Sequence, residues 1–514
     1  MSVEQTAPVG LLAERRPGAI VEVAALAGPV VLQSLSETAM HVVDSAMLGR
    51  LGTAPLAAAG FSGTWIWTLL VPFAGLAAGV QTFVSRNVGA KRRADCGGWV
   101  WQAFWLAMPT IVLWSALVAC FLSPLLAFIG TEAELHRLAV DYGLARLLGA
   151  PAVVAEFALC AFFLGIGDTR TPLRAAVIGM SLNLLLAWLL IFGHCGLPAL
   201  GVAGAGIAQS IGSYVMVAVM LRTFLRPPLR VRYATAPCRP DRAAIERFAS
   251  TSAPIGGQWL LDMLTFAVFS SIVAKMGETA MAASQAMLQL LAMSFMLATA
   301  LGSAGGTLIG RYLGAGDLDA ARRSHRSAVV LALGFALVVA VLFLSVPEAL
   351  LGLFTGDRDV LHLARPLLAL GALFQLVDVL GHVAGGSLRG AGDTRWPFLA
   401  HACLAWLVRV PAVCLGAIVL EGGVLGAWVG ELVYAALLGA LLMRRFSACG
   451  PRRAVGSQAA LNGTDQLADL KRLADDCMDA RRSAGRRQTL RMARDEDHGH
   501  LGSECPNALR ELEA

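Results

Sequence analysis

The chain carries GIGDTRTP at Gly165–Pro172 and GAGDTRWP at Gly390–Pro397, one glycine-rich, charged phrase written twice between long apolar stretches. The copies stand 225 residues apart, and the same offset brings other residues into register. Pro29 aligns with Pro254, Gly52 with Gly277, and Ala57 and Ala58 with Ala282 and Ala283. Arg86, Gly89 and Ala90 align with Arg311, Gly314 and Ala315. One ungapped offset, held from the first apolar segment of each half to the start of the fifth, marks a tandem duplication.

The unit that was duplicated belongs in a membrane. Of 514 residues, 57% are hydrophobic and only 15% charged, where a soluble protein carries about 25% charged residues. Apolar runs of roughly 20 residues, the length that crosses about 30 Å of hydrocarbon, recur along the chain. Lipid offers the backbone no hydrogen bonds, so runs of this length must be helices. We read twelve spans, near 19–47, 56–84, 99–128, 138–164, 173–193, 200–223, 246–274, 280–309, 327–354, 364–388, 397–420 and 424–445. The expected fold is an all-α polytopic membrane protein whose twelve transmembrane helices form two six-helix repeats. Six is even, so both repeats enter from the same side and are parallel, related by an axis near the membrane normal.

Charge gives the orientation. Lys and Arg gather in loops joining even to odd spans, at Lys91–Arg93, between Arg222 and Arg247, and from Arg311 to Arg326. Basic loops stay cytoplasmic, which puts both termini inside. The expected organisation is a cytoplasmic N-terminal segment at 1–18, an N-lobe at 19–223, a basic cytoplasmic linker at 224–245, a C-lobe at 246–446, and a polar, disordered cytoplasmic tail at 447–514. The N-terminus lacks an apolar core followed by a cleavage site, so no removable signal is expected. Ten scattered cysteines form no CxxC and no Cys/His cluster, which argues against a disulfide framework or a structural metal. The net charge of +6 sits in membrane-side loops, and no nucleic-acid partner is expected.

Within this plan the repeated phrase is the cytoplasmic turn between spans 4 and 5, and again between spans 10 and 11. Its glycines permit a tight reversal, and Pro172 and Pro397 suit the first turn of the next helix. Thr171 is the expected cap in the first copy. As a phosphate loop the phrase fails, because no strand precedes it and no GK[ST] follows.

Ionisable residues deep in apolar spans need a reason, since one at a helix centre costs roughly 2.5–3.5 kcal/mol on insertion scales. Asp44 stands in span 1 with His41 and Glu37 before it on the same face. Asp262 stands in span 7, and Asp378 in span 10 with His382 one turn on. Such acids are candidates for binding a proton or cation. Glu37 and Asp262 follow Pro29 and Pro254 by the same 8 residues, which fits a pseudo-symmetric site. His41, His382 and His401 read as packed partners. Arg409 must be paired or face water, and Asp378 is its expected counter-ion. Met263, Met276, Met281, Met287, Met293 and Met296 serve either an adaptable cavity or simple packing. Trp65, Trp67, Trp99, Trp101 and Trp105 read as interface and packing residues.

The duplicated six-helix unit, the LGAG at Leu313–Gly316 and the paired GDTR turns resemble the MATE family, the multidrug and toxic compound extrusion transporters, and most of all its NorM-like branch. The likeness spans roughly residues 20–445. It implies two lobes around a central cavity that opens alternately to each side. It also implies efflux of small hydrophobic or cationic molecules in exchange for Na+ or H+, with no cofactor beyond the coupling ion. The resemblance further implies a monomer in bacterial inner-membrane lipid. Asp44, Asp262 and Asp378 match the family's cation-coupling acids, with Asp262 and Asp378 the candidate Na+ ligands, and Asn183 matches its span-5 pattern. Two departures stand out: Asp262 replaces the usual Glu, and Ala187 replaces the usual Asp.

Other readings remain at this stage. A lipid-linked saccharide flippase of the related superfamily shares the plan, although this chain shows neither extra spans nor a clearly cationic cavity. A membrane enzyme would need a catalytic set, and no HExxH or Ser/His/Asp grouping is present. A passive channel is a further reading, against which buried acids in duplicated lobes favour coupled transport.

Overall fold

The computed structural model describes residues 18–128, 132–352 and 357–448. The N-terminal segment before Gly18, the tail from residue 449 and the side chain of Met293 lie outside the described residues. Eleven helices are long and apolar enough to cross a membrane, and a bent pair supplies the twelfth. They run α1 (Ile20–Gly49), α2 (Thr53–Gly89), α3 (Arg93–Ala127), α4 (Ala133–Leu147 and Ala150–Ile166), α5 (Arg170–Phe192) and α6 (Gly201–Phe224). The second half repeats the order as α7 (Arg242–Ala274), α8 (Glu278–Gly314), α9 (Leu318–Ser345), α10 (Arg358–Gly390), α11 (Arg395–Val419) and α12 (Gly423–Ala448). Among the described residues no strand occurs. The expected all-α, twelve-span plan is the observed one.

Irregularities in the spans have local causes. The two parts of α4 meet at 46°, where Pro151 lacks the amide hydrogen that a continuous helix would use. In α11 the backbone widens to π-turns at Ala405–Arg409 and Leu415–Val419. Such turns insert an extra residue and re-aim side chains, and they are frequent at functional sites. The equivalent α5 is an uninterrupted α-helix, so the duplication has diverged here.

Each half builds its own core. In the first, Phe162, Phe163 and Phe224 are fully buried, and Phe248 of α7 packs into the same cluster from the second half. In the second, Phe269, Met287, Val413 and Trp428 pack together, with Met276 and Met281 against them. These methionines therefore act in packing. The tryptophans of α3 tie down the linker, as Trp101 Nε1 donates to the Thr235 carbonyl at 3.1 Å and Trp105 Nε1 to the Cys238 carbonyl at 3.0 Å.

The halves meet along α2, α7 and α8, where small residues let backbones touch. A Cβ added to Gly256 of α7 would stand 2.1 Å from the Pro72 carbonyl oxygen of α2. Gln81 Nε2 of α2 donates to the Ser303 carbonyl of α8 at 2.9 Å and to Thr307 Oγ1 at 2.7 Å. These contacts gather toward the face where α2, α4, α8 and α10 end. Gly256→Leu is expected to destabilise the protein by roughly 1–3 kcal/mol through overpacking. Thermal unfolding in detergent checks this, and an unchanged melting temperature would contradict the close approach.

The GDTR turns lie on that same face. Gly167 and Gly392 take φ of +83° and +75°, a left-handed conformation that glycine reaches without penalty. Pro172 and Pro397 fall in the first turn of α5 and α11, as expected. The expected cap does not hold. Asp168 Oδ1 accepts from the amides of Arg170 and Thr171, both at 3.1 Å, and Thr171 Oγ1 donates to Asp168 Oδ2 at 2.6 Å. Asp168 satisfies the free amides, and Thr171 is one of the groups it holds, because the carboxylate accepts several donors at once.

Candidate functional site

The first acid is held inside its own lobe. Asp44 is only 3% exposed. Its carboxylate accepts from Asn183 Nδ2 of α5 at 3.2 Å and from Gln209 Nε2 of α6 at 2.8 Å. The Tyr142 hydroxyl of α4 donates to Gln209 Oε1 at 3.1 Å and so fixes which way that amide points. Asn183 is 1% exposed, and its Oδ1 has no hydrogen-bond partner. An orphaned buried oxygen is costly, and here it lies on the same amide that donates to Asp44. Ala187, which stands where the family usually has an acid, is fully buried among Leu48, Ala59 and Ile191. The direct hydrogen bonds of Asp44 therefore come from neutral amides, with His41 and Arg146 within electrostatic reach and no second acid on α5.

Glu37, two turns earlier on α1, accepts from Gln33 Nε2 at 3.1 Å. Glu156 of α4 lies within electrostatic reach of Glu37, and Arg146 within reach of both Glu156 and Asp44. Beside them Phe157 contacts Trp67 of α2 and, across the lobes, Trp259 of α7, with ring centroids 6.3 and 5.8 Å apart.

The second lobe repeats the scheme with different chemistry. Asp262 of α7 pairs through Oδ1 with His401 Nε2 of α11, and the Tyr434 hydroxyl of α12 lies 3.0 Å from the same ring nitrogen. Arg409, re-aimed by the π-turn, donates from Nε to Glu431 at 2.8 Å and from Nη1 to Thr265 Oγ1 at 2.6 Å. Its guanidinium lies 5.1 Å from the Tyr434 ring centroid. Asp378 of α10 pairs with His382 one turn on, at 3.2 Å. Asp262 and Asp378 do not share a direct contact, yet the fields of both reach Glu431 and Tyr434.

Two sequence expectations change. Arg409 is expected to face Asp378 and instead neutralises Glu431. His382 and His401, expected as packed partners, pair directly with Asp378 and Asp262. The residue playing the part of Asp262 in the first lobe is Asp44, held by α5 and α6 as Asp262 is held by α11 and α12. Glu37, its match by the 225-residue offset, lies two turns away from Asp44. Gln209 and Tyr434 do share that offset, so the supporting residue kept its place while the acid moved along its helix. Glu156 and Glu431 escaped the sequence reading, although the rule that picked Asp44, an acid inside an apolar run, applies equally to VVAEFAL and GELVYAA.

Two lobes of six membrane-spanning helices, each holding acids in hydrogen-bonded contact inside its spans, meet along a shared interface. The MatE family model matches residues 29–189 and 254–415, one match in each lobe. The chain is 31% identical to the probable multidrug resistance protein NorM of Pseudomonas putida over 79% of this chain and 89% of that protein. It is 32% identical to the probable multidrug resistance protein NorM of Pseudomonas aeruginosa over 79% of this chain and 84% of that protein. Among solved structures, an outward-facing multidrug resistance MATE family transporter superposes with a TM-score of 0.77 at 19% identity, covering 87% of this chain and 99% of that one. The chain belongs to the MatE family, a family of integral membrane transporters.

Proposed function

We infer that the chain is a multidrug efflux transporter that exports small hydrophobic or cationic molecules in exchange for Na+ or H+ by alternating access. It performs no chemical transformation, and it works as a monomer in the bacterial inner membrane. The basic loops support a cytoplasmic place for both termini and the GDTR turns. The carrying observation is Asp44, a buried carboxylate whose hydrogen bonds come from two neutral amides. A carboxylate so placed has no cation in hydrogen-bond contact, and an arriving proton or metal cation supplies that direct partner, which makes its occupancy a switch.

The chemistry of the two lobes differs in a useful way. Around Asp44 the facing groups are amide nitrogens, and exchanging the ends of the Asn183 amide would turn its unpartnered Oδ1 toward an arriving hard cation or proton. At Asp262 and Asp378 a histidine already faces the carboxylate, so an entering Na+ must compete with an imidazole, whereas a proton is shared with it. Asp44, Asp262 and Asp378, with Asn183 and Glu37, are the proposed coupling residues. Coupling follows if ion and drug favour opposite states, because each ligand shifts the equilibrium only by its differential affinity. The flippase alternative is not favoured, since the relatives matched over most of their length are multidrug resistance proteins.

Binding to the purified protein tests this reading. A fluorescent lipophilic cation is expected to bind more weakly as Na+ is raised at fixed ionic strength, or as pH is lowered, and one of the two titrations should weaken it at least tenfold. Binding unaffected by both would contradict antiport.

A further inference from the structure

The repeated phrase and the repeated arginine meet across the lobes. Arg311, at the end of α8, reaches from the second lobe into the first lobe's turn, where its Nη2 donates to the Ile166 carbonyl at 3.2 Å. A Cβ added to Gly167 would stand 2.7 Å from that Nη2. Arg86, which occupies the same place at the end of α2, reaches the other way, and a Cβ on Gly392 would stand 2.6 Å from its Nη1. Beside it Thr82 Oγ1 donates to the Arg389 carbonyl at 3.0 Å, joining α2 of one lobe to the end of α10 in the other.

The reach depends on a second pair of glycines. A Cβ on Gly89 would lie 1.8 Å from the Arg311 carbonyl oxygen, and one on Gly314 would lie 2.2 Å from the Arg86 carbonyl oxygen. The ends of α2 and α8 therefore cross in backbone contact, and each sends its arginine past the crossing into the opposite turn. Four elements of the duplication, Arg86/Arg311, Gly89/Gly314, Gly167/Gly392 and the turns themselves, are related by one exchange of lobes. A turn needed only to reverse the chain within its lobe has no use for an arginine from the other lobe.

We propose that Arg86 and Arg311 form a reciprocal latch that holds the cytoplasmic side shut, each guanidinium closing over the GDTR turn of the opposite lobe. The latch belongs to the state with the outer side open and must release before the cavity can face the cytoplasm. It sets the balance between the two states without touching drug or ion. This rests on the alternating-access reading above. A hydrogen bond from a charged group contributes enough that its loss shifts an equilibrium at least tenfold, so removing the Arg311 bond to the Ile166 carbonyl should move the balance about tenfold toward the inward-open state.

Hydrogen exchange read by mass spectrometry on the full chain in nanodiscs tests the latch without measuring transport. In R86Q/R311Q the peptides over Gly165–Pro172 and Gly390–Pro397 should exchange faster. At the same time the outer turns, Gly49–Thr53 and Ala274–Glu278, should exchange more slowly as that side closes. Faster exchange confined to the two GDTR turns would make the arginines merely structural and overturn the latch, as would unchanged exchange everywhere. R86K/R311K keeps charge and helix packing and should show the same opposed pattern more weakly. It is the variant read if the glutamine pair speeds exchange throughout, and absence of opposition in it would also overturn the proposal. Failure of the drug-efflux reading would show instead as absent gradient-driven flux, with this exchange pattern intact.

Discussion

Asp44→Asn is expected to abolish gradient-driven accumulation of a lipophilic cation, lowering it from roughly tenfold to equality across the membrane. One charge moving down about 60 mV supplies about 1.4 kcal/mol, by scaling from ~2.3 kcal/mol per 100 mV, and 1.4 kcal/mol is a tenfold ratio. Asparagine is nearly isosteric with aspartate and accepts from Gln209 or Asn183 through its carbonyl oxygen, so the clasp between α1, α5 and α6 persists. What it loses is charge. With no carboxylate to protonate or to bind a cation, this lobe cannot tell the loaded from the empty state, while drug binding and downhill leakage remain. The measurement is steady-state accumulation in proteoliposomes with D44N beside the unmodified chain. Retained tenfold accumulation in D44N would remove Asp44 from coupling and shift the burden to Asp262 and Asp378.

The second large effect is on stability. Arg409→Ala is expected to cost about 3–5 kcal/mol, because breaking one half of a buried pair strands the other charge. Only 6% of the Glu431 side chain is exposed, and Arg409 is its partner at 2.8 Å. Arg409 also ties α11 to α7 through Thr265 and lies against Tyr434, which contacts His401. Removing both charges in R409M/E431L should recover most of the loss, since apolar replacement of a buried pair is often neutral or better. Thermal unfolding in detergent separates the two. If R409A melts with the double variant, the pair does not carry the stability of this lobe.

The sequence made the architecture readable because membrane spans and duplication both leave strong, redundant marks. Twelve apolar runs, a charge bias between alternate loops and one 225-residue offset each point to the same plan. Asp44, Asp262 and Asp378 were legible for a related reason: a charge in an apolar run is costly and must have a partner or a task. Their partners were not legible. Asn183 and Gln209 meet Asp44 across 139 and 165 residues of chain, and nothing local to either residue signals the contact. The partner of Arg409 was not legible either, since Glu431 stands on the next helix, 22 residues further along the chain. The GDTR phrase looked like a local turn for the same reason, since the arginines it meets come from the other half of the chain.

The central claim is ion-coupled efflux, and uphill flux tests it most directly. Proteoliposomes or inverted vesicles holding the full chain are given a fluorescent lipophilic cation and then an imposed Na+ gradient or, separately, a pH gradient. The expected result is movement of the cation against its own gradient, driven by one of the two ions and absent in D44N. Flux that only ever runs downhill, whichever gradient is imposed and with folded protein confirmed, would contradict it.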